Sequence, residues 1–184
     1  MKENGPKDRI LATAARLFYE QGYTQTGINQ ILEEAKVAKA SLYQHYGSKD
    51  ELGVAYLKHE REKWFPMFYK YLDHYSAPLD KILACFDFLE ESQSKRDFKG
   101  CRFINLLSEV SDSSPKMREQ IVEHKSKLRT LFTHLVMSYQ PNSPQSLADS
   151  IYLLFEGAIV EGKIYKHSWP FRTAKNTTRK MLEQ

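Results

Sequence analysis

The chain of 184 residues carries only two cysteines, Cys85 and Cys101, and their separation is not that of a CxxC pair. Paired-thiol chemistry therefore has no footing, and two scattered cysteines in a helical chain are more often buried hydrophobes than sensors. The six histidines, at positions 45, 59, 74, 124, 134 and 167, form no metal-ligand signature, and none of the eight glycines builds a phosphate-cradling loop. No metal, no cofactor and no catalysis are expected. No segment approaches the apolar length of a membrane span. Met1 to Asp8 is polar and lacks the apolar stretch of a signal peptide, so a cytoplasmic location without a membrane partner is expected. Internal repeats and low-complexity tracts are absent too.

What remains is ordinary for a globular protein: 41% apolar and 27% charged residues, enough of both for a buried core under a solvated surface. The helical period dominates throughout. Beyond Lys49 the spacing predicts helices at about 49–75, 78–97, 101–112, 115–139, 144–167 and 171–183, which with three earlier segments makes an all-α chain of about nine helices. Ser76-Ala77-Pro78, Lys99-Gly100, Asp112-Ser113-Ser114-Pro115, Gln140-Pro141-Asn142-Ser143-Pro144 and Trp169-Pro170 supply the breaks and starts. Pro66 falls inside the fourth helix and is expected to kink or interrupt it.

The most telling pattern lies between Asp8 and Leu52. Ile10, Ala14, Leu17 and Phe18 fall on one face of a helix that ends near Gln21, where Gly22 tolerates a left-handed stop. Thr26 is placed to cap a second helix, on which Ile28, Ile31, Leu32 and Ala35 repeat at helical spacing. After the tight break Ala35-Lys36-Val37-Ala38 comes a third helix. A wheel at 100° per residue sets Ala38, Leu42 and Tyr46 inward and Lys39, Ala40, Tyr43 and Gln44 outward. Two helices this short cannot stand alone, so all three form one unit, a helix-turn-helix. Its outer face offers a cation, a small residue permitting close approach, a phenol that reaches phosphate and an amide able to read adenine. From Ala35 to Lys49 there are three lysines, His45 and no acid, whereas residues 1–60 balance eight basic against eight acidic side chains. Attraction to DNA must then come from where the charges sit. Tyr43 and His45 could instead be packing groups; for Tyr46, on the inner face, packing is the better reading.

The run Arg9 through Leu52, with Ile10-Leu11, Ala14, Leu17-Phe18, Gly22-Tyr23, Thr26, Ile28, Ile31, Val37, Ser41-Leu42-Tyr43, His45-Tyr46, Ser48-Lys49 and Glu51-Leu52, resembles the N-terminal domain of TetR-type transcriptional regulators. The resemblance implies a DNA-binding domain over residues 1–48, its helix-turn-helix at about 27–46, a linking helix 49–75, and a ligand-binding and dimerisation domain over 76–184. It further implies DNA contacts from Thr26, Lys39, Ala40, Ser41, Tyr43, Gln44, His45 and Lys49, the last favoured by its place at a helix start. Three positions depart from the family. Lys36 stands where glycine is common, and Ala38 and Gly27 stand where serine or threonine is common; a left-handed Lys36 and an uncapped third helix are the expected costs.

The C-terminal part resembles the family's second domain more weakly, Gly100-Cys101-Arg102-Phe103-Ile104-Asn105 with Glu109 being the nearest likeness. Trp64, Phe68, Phe86, Phe103, Asn105, Glu109, Tyr152 and Phe155 are the candidate lining of an effector pocket, since pockets combine apolar walls with a few polar groups. Plain core is the commoner role for any one of those aromatics. Leu147, Ile151, Leu154, Ala158, Glu161, Gly162 and Tyr165 form a stripe that, with Ala174 and Met181 of the last helix, is the candidate dimer interface. Packing within the chain is the alternative for that stripe. The expected partners are a palindromic double-stranded operator, a small-molecule effector and a second copy of the chain. The reading is a ligand-released homodimeric repressor; the alternative is a small-molecule-binding helical protein whose N-terminal unit mediates protein interaction.

Overall fold

In the computed structural model, which describes residues 5–110 and 114–183, every regular element among the described residues is an α-helix. In chain order these are α1 (Pro6–Glu20), α2 (Ile28–Ala35), α3 (Lys39–Tyr46), α4 (Lys49–Leu72), α5 (Pro78–Ser94), α6 (Arg102–Leu107), α7 (Pro115–Tyr139), α8 (Gln145–Tyr165) and α9 (Trp169–Leu182). The expected boundaries hold to a few residues except at α6, which stops at Leu107; part of the expected remainder, 111–112, lies outside the described residues.

The chain forms two compact units that do not follow chain order. The first comprises Met1–Lys63 and Arg102–Glu123, the second Trp64–Cys101 and His124–Gln184. In the first, α1 buries Ile10, Ala14, Leu17 and Phe18, α2 buries Ile31, Leu32 and Ala35, and α3 buries Leu42 and Tyr46. Each large apolar side chain withdrawn from water contributes about 1.5–3 kcal/mol, which is what holds helices too short to persist alone. The Phe18 ring meets Tyr23 and Tyr56 at 5.0 and 5.5 Å. Residues 102–123 join this unit through Phe103, Leu106, Met117 and Ile121, all buried.

The second unit is a helical bundle around an aromatic core. Phe65, Phe68, Phe86, Phe132, Phe155 and Phe171 are each almost completely buried. The Trp64 and Phe68 rings lie 4.6 Å apart, Phe68 and Phe88 4.8 Å, and Phe132 and Phe155 5.0 Å. Gly162 lets α9 come close to α8: a Cβ there would sit 2.5 Å from the Phe171 ring.

Pro66 does not interrupt α4, which runs unbroken from Lys49 to Leu72. The proline removes the donor for the Glu62 carbonyl, but both residues lie on the exposed side, where that carbonyl is not forced into an apolar interior.

Candidate nucleic-acid interface

The helix pair α2–α3 is positioned by its turn. Lys36 ends α2 in the left-handed conformation, φ 54° and ψ 53°, as its departure from glycine led us to expect. Its N–H donates to Glu33 O at 3.2 Å and that of Val37 to Leu32 O at 3.1 Å, the two bonds of a Schellman stop. Arg9 of α1 adds a fastening that sequence spacing did not signal: Nε donates to the Ala35 carbonyl at 3.1 Å, placing a cation where the α2 dipole ends. Ala38 is the N-cap of α3, with no side-chain bond to offer.

On α3, Leu42 is fully buried, and Tyr46 is buried with its hydroxyl donating to Lys7 O at 2.8 Å. Burial, with Asp8 nearby, raises the Tyr46 pKa. Lys39, Ala40, Tyr43, Gln44 and His45 are exposed, and Ser41 is half-buried. Two placements correct the sequence reading. Ala38 does not face inward; as the residue before the first helical turn it is exposed. Thr26 neither caps α2, whose N-cap is Gly27, nor faces outward. It is fully buried, and its hydroxyl donates to Gly22 O at 2.6 Å, closing the α1–α2 turn instead.

Lys49 opens α4 beside this face. Ser48 Oγ accepts the Glu51 N–H at 3.1 Å, a hydroxyl cap on the first turn of α4. The Lys49 ammonium lies 4.4 Å from the centre of the Tyr23 ring. Partial burial lowers its pKa, and the charges of Asp50 and Glu109 oppose that shift. Tyr23 Oη donates to Asp50 Oδ1 at 2.6 Å and Ser114 Oγ to Asp50 Oδ2 at 2.7 Å, and these two bonds hold the Asp50 carboxyl below its ordinary range.

The expected pocket residues are divided between the units. Trp64, Phe68, Phe86, Tyr152 and Phe155 belong to the second, where Phe68, Phe86 and Phe155 fill the core and Trp64 and Tyr152 flank it. Phe103, Asn105 and Glu109 belong to the first. Glu109 there accepts the Thr24 N–H at 2.7 Å, a contact between residues 85 positions apart that no local pattern announces. Cys85 is fully buried, which pushes its thiol pKa up, and Lys125 Nζ lies 2.6 Å from Glu156 Oε2 and 3.5 Å from Cys101 Sγ.

Of the expected dimer stripe, Ile151, Ala158, Gly162 and Ala174 are spent inside the second unit, Leu147, Leu154, Glu161 and Met181 are half-buried, and Tyr165 is exposed. The α8 face that is open carries Leu153, Gly157, Val160 and Ile164, at i, i+4, i+7 and i+11, and the first, third and last are 65%, 48% and 63% exposed.

Residues 10–56 match the family model described as bacterial regulatory proteins, tetR family, and residues 78–177 match that of the LmrA/YxaF-like transcriptional regulator C-terminal domain. The chain is 26% identical to the HTH-type transcriptional repressor NemR of Escherichia coli over 94% of its own length and 91% of that protein. It is 30% identical to the biofilm operon icaADBC HTH-type negative transcriptional regulator IcaR of Staphylococcus epidermidis, over 73% of this chain and 70% of that one. The crystal structure of reduced E. coli NemR superposes with a TM-score of 0.82 at 26% identity, covering 96% of this chain and 97% of the other.

Proposed function

Because the chain belongs to the tetR family of bacterial regulatory proteins, and so is a DNA-binding transcription regulator and not an enzyme, we propose that it acts as a homodimeric repressor released from its operator by a small apolar or amphipathic effector. The observation that carries this reading is the outer face of α3. Lys39, Ala40, Tyr43, Gln44 and His45 project from a helix anchored by Leu42 and Tyr46, with no acid between Ala35 and Lys49. Such a face fits the major groove, where Gln44 and Lys39 read base edges while Tyr43, His45 and Lys49 hold phosphates. The names of NemR and IcaR support repression as the sense of the control.

Dimerisation runs through the open face of α8. Leu153, Val160 and Ile164 form an apolar strip too regular for solvent, Gly157 leaves room for close approach, and Tyr165 and Trp169 continue it with rings 5.5 Å apart. This shifts the interface from the stripe expected at Ile151, Ala158 and Gly162 to the neighbouring side of the same helix. The effector acts through the second unit. With Phe68, Phe86 and Phe155 packed in the core, it must displace or spread aromatic side chains to enter.

The test is footprinting of promoter DNA from the chain's own or an adjacent gene, with sedimentation of the wild type and of Ile164→Glu. An imperfect palindrome protected by a dimer, with half-sites about one helical turn or a multiple apart, and a monomeric variant that loses the footprint are expected. Protection of one asymmetric half-site by a monomer, or no promoter binding at all, would refute it.

A further inference from the structure

The helix pair α2–α3 hangs between two points of the chain, the α1–α2 turn at Thr24 and the start of α4 at Asp50; Glu109, just after α6, holds the first, and Ser114 and Lys116, at the head of α7, hold the second. Glu109 accepts the Thr24 N–H at 2.7 Å through its carboxylate, and its backbone carbonyl lies 3.4 Å from Thr24 Oγ1. The same carboxylate lies against Gly22, whose φ of 98° and missing side chain both matter: a Cβ there would stand 2.9 Å from Glu109 Oε2. Ser114 then donates to Asp50 Oδ2 at 2.7 Å, and Lys116 Nζ meets Glu51 Oε1 at 2.5 Å. At its upstream end α6 is fixed to the same unit, since Arg102 pairs with Glu60 at 3.0 Å and stacks 3.9 Å from the Tyr19 ring.

We infer that Glu109 is a positioning residue for DNA binding: its bond to the Thr24 N–H, with that of Ser114 to Asp50, sets the orientation in which α3 is presented. The inference rests on the DNA-binding reading above. Its physics is that of a bridge fixed at both ends. Hydrogen bonds inside α2 and α3 fix each helix, and the Schellman stop fixes one against the other. The pair as a whole is steered by what enters and leaves it, and there a charged acceptor holds a backbone donor that would otherwise turn to water. A contrary effect exists. Glu109 also lies near enough to Lys49 to act on its charge, so a carboxylate that served only as a neighbouring negative charge would weaken phosphate binding rather than support it.

The two effects have opposite signs, and variants of the full chain separate them. Glu109→Gln keeps an oxygen to accept from Thr24 and removes the charge; Glu109→Ala removes both. Two readouts apply: amide exchange at Thr24, and affinity for a mixed-sequence DNA duplex across a salt series. The expected result is that Glu109→Ala speeds Thr24 exchange and lowers affinity about tenfold, with a salt slope smaller by about one, while Glu109→Gln keeps the exchange protection and binds at least as tightly as wild type. Ser114→Ala, which leaves Glu109 in place, should lose affinity in the same direction. The inference is overturned if Glu109→Ala leaves Thr24 protected, or binds DNA as tightly as wild type or more so. A lower melting temperature with an unchanged salt slope overturns it too, because that is all a purely structural contact would produce. Wild-type protein that shows no salt-dependent DNA binding would instead remove the reading on which the inference stands, while the exchange arm still reports whether the bond forms.

Discussion

Lys36 holds a left-handed conformation that lysine adopts at a cost and glycine does not, yet its side chain is exposed and its backbone bonds are those of the stop. Lys36→Gly should therefore stabilise the chain by about 0.5–1 kcal/mol after allowance for the extra freedom of glycine in the unfolded state, seen as a higher urea midpoint. Charge placement is the other matter settled residue by residue. Lys39 stands on the outer face of α3, whereas Lys49 lies half-buried over Tyr23 at a helix start. Lys39→Ala should lose discrimination at particular operator positions, and Lys49→Ala should weaken every sequence and reduce the salt slope by about one. Equal losses across operator variants for both would show that these roles are not divided. The residues least open to sequence reading are those whose partner is distant. The outer face of α3 follows from an eight-residue wheel, but the burial of Thr26 depends on how one turn closes. The bond from Glu109 to Thr24 depends on bringing together parts of the chain 85 residues apart.

Whole helices were far more legible, because period, glycine and proline act within a few residues, and for that reason α4, α5, α7, α8 and α9 lie close to their expected spans. What periodicity could not assign was the partner of each face: small residues on α8 suit an outside copy and an inside neighbour equally, and Gly162 turned out to face Phe171. Gly162→Ala would push a methyl group into that ring and should destabilise the chain by about 1–3 kcal/mol, measured by denaturant unfolding. A Phe171→Leu background should relieve part of the loss. Between α7 and α8, Arg129 makes two bonds of 2.7 Å to Asp149. With a bond from Gln145 added, they lower the Asp149 carboxyl pKa to about 2 from 3.8. A depressed carboxylate contributes stability that is complete above its unfolded pKa and is lost as pH falls through the folded one. The melting-temperature gap between wild type and Asp149→Asn should accordingly hold near neutrality and close between about pH 4 and pH 2. The exposure of this pair keeps the gap small.

At the scale of the molecule, the division into two units cuts across chain order, and aromatic composition follows it. Trp64 and Trp169, the two tryptophans of the chain, both lie in the second unit, Trp64 against Phe65, Phe68, Phe88 and His124 and Trp169 at the head of α9. Near 280 nm the first unit absorbs through its tyrosines, Tyr19, Tyr23, Tyr43, Tyr46 and Tyr56, since it holds no tryptophan. Excitation at the red edge of the indole band thus reports one half of the protein and is blind to the half that carries α3. If the units melt separately, tryptophan emission and far-ultraviolet circular dichroism will trace different denaturation curves from the same sample. A spectroscopist following indole emission alone would then record an intact protein after α3 had already come apart.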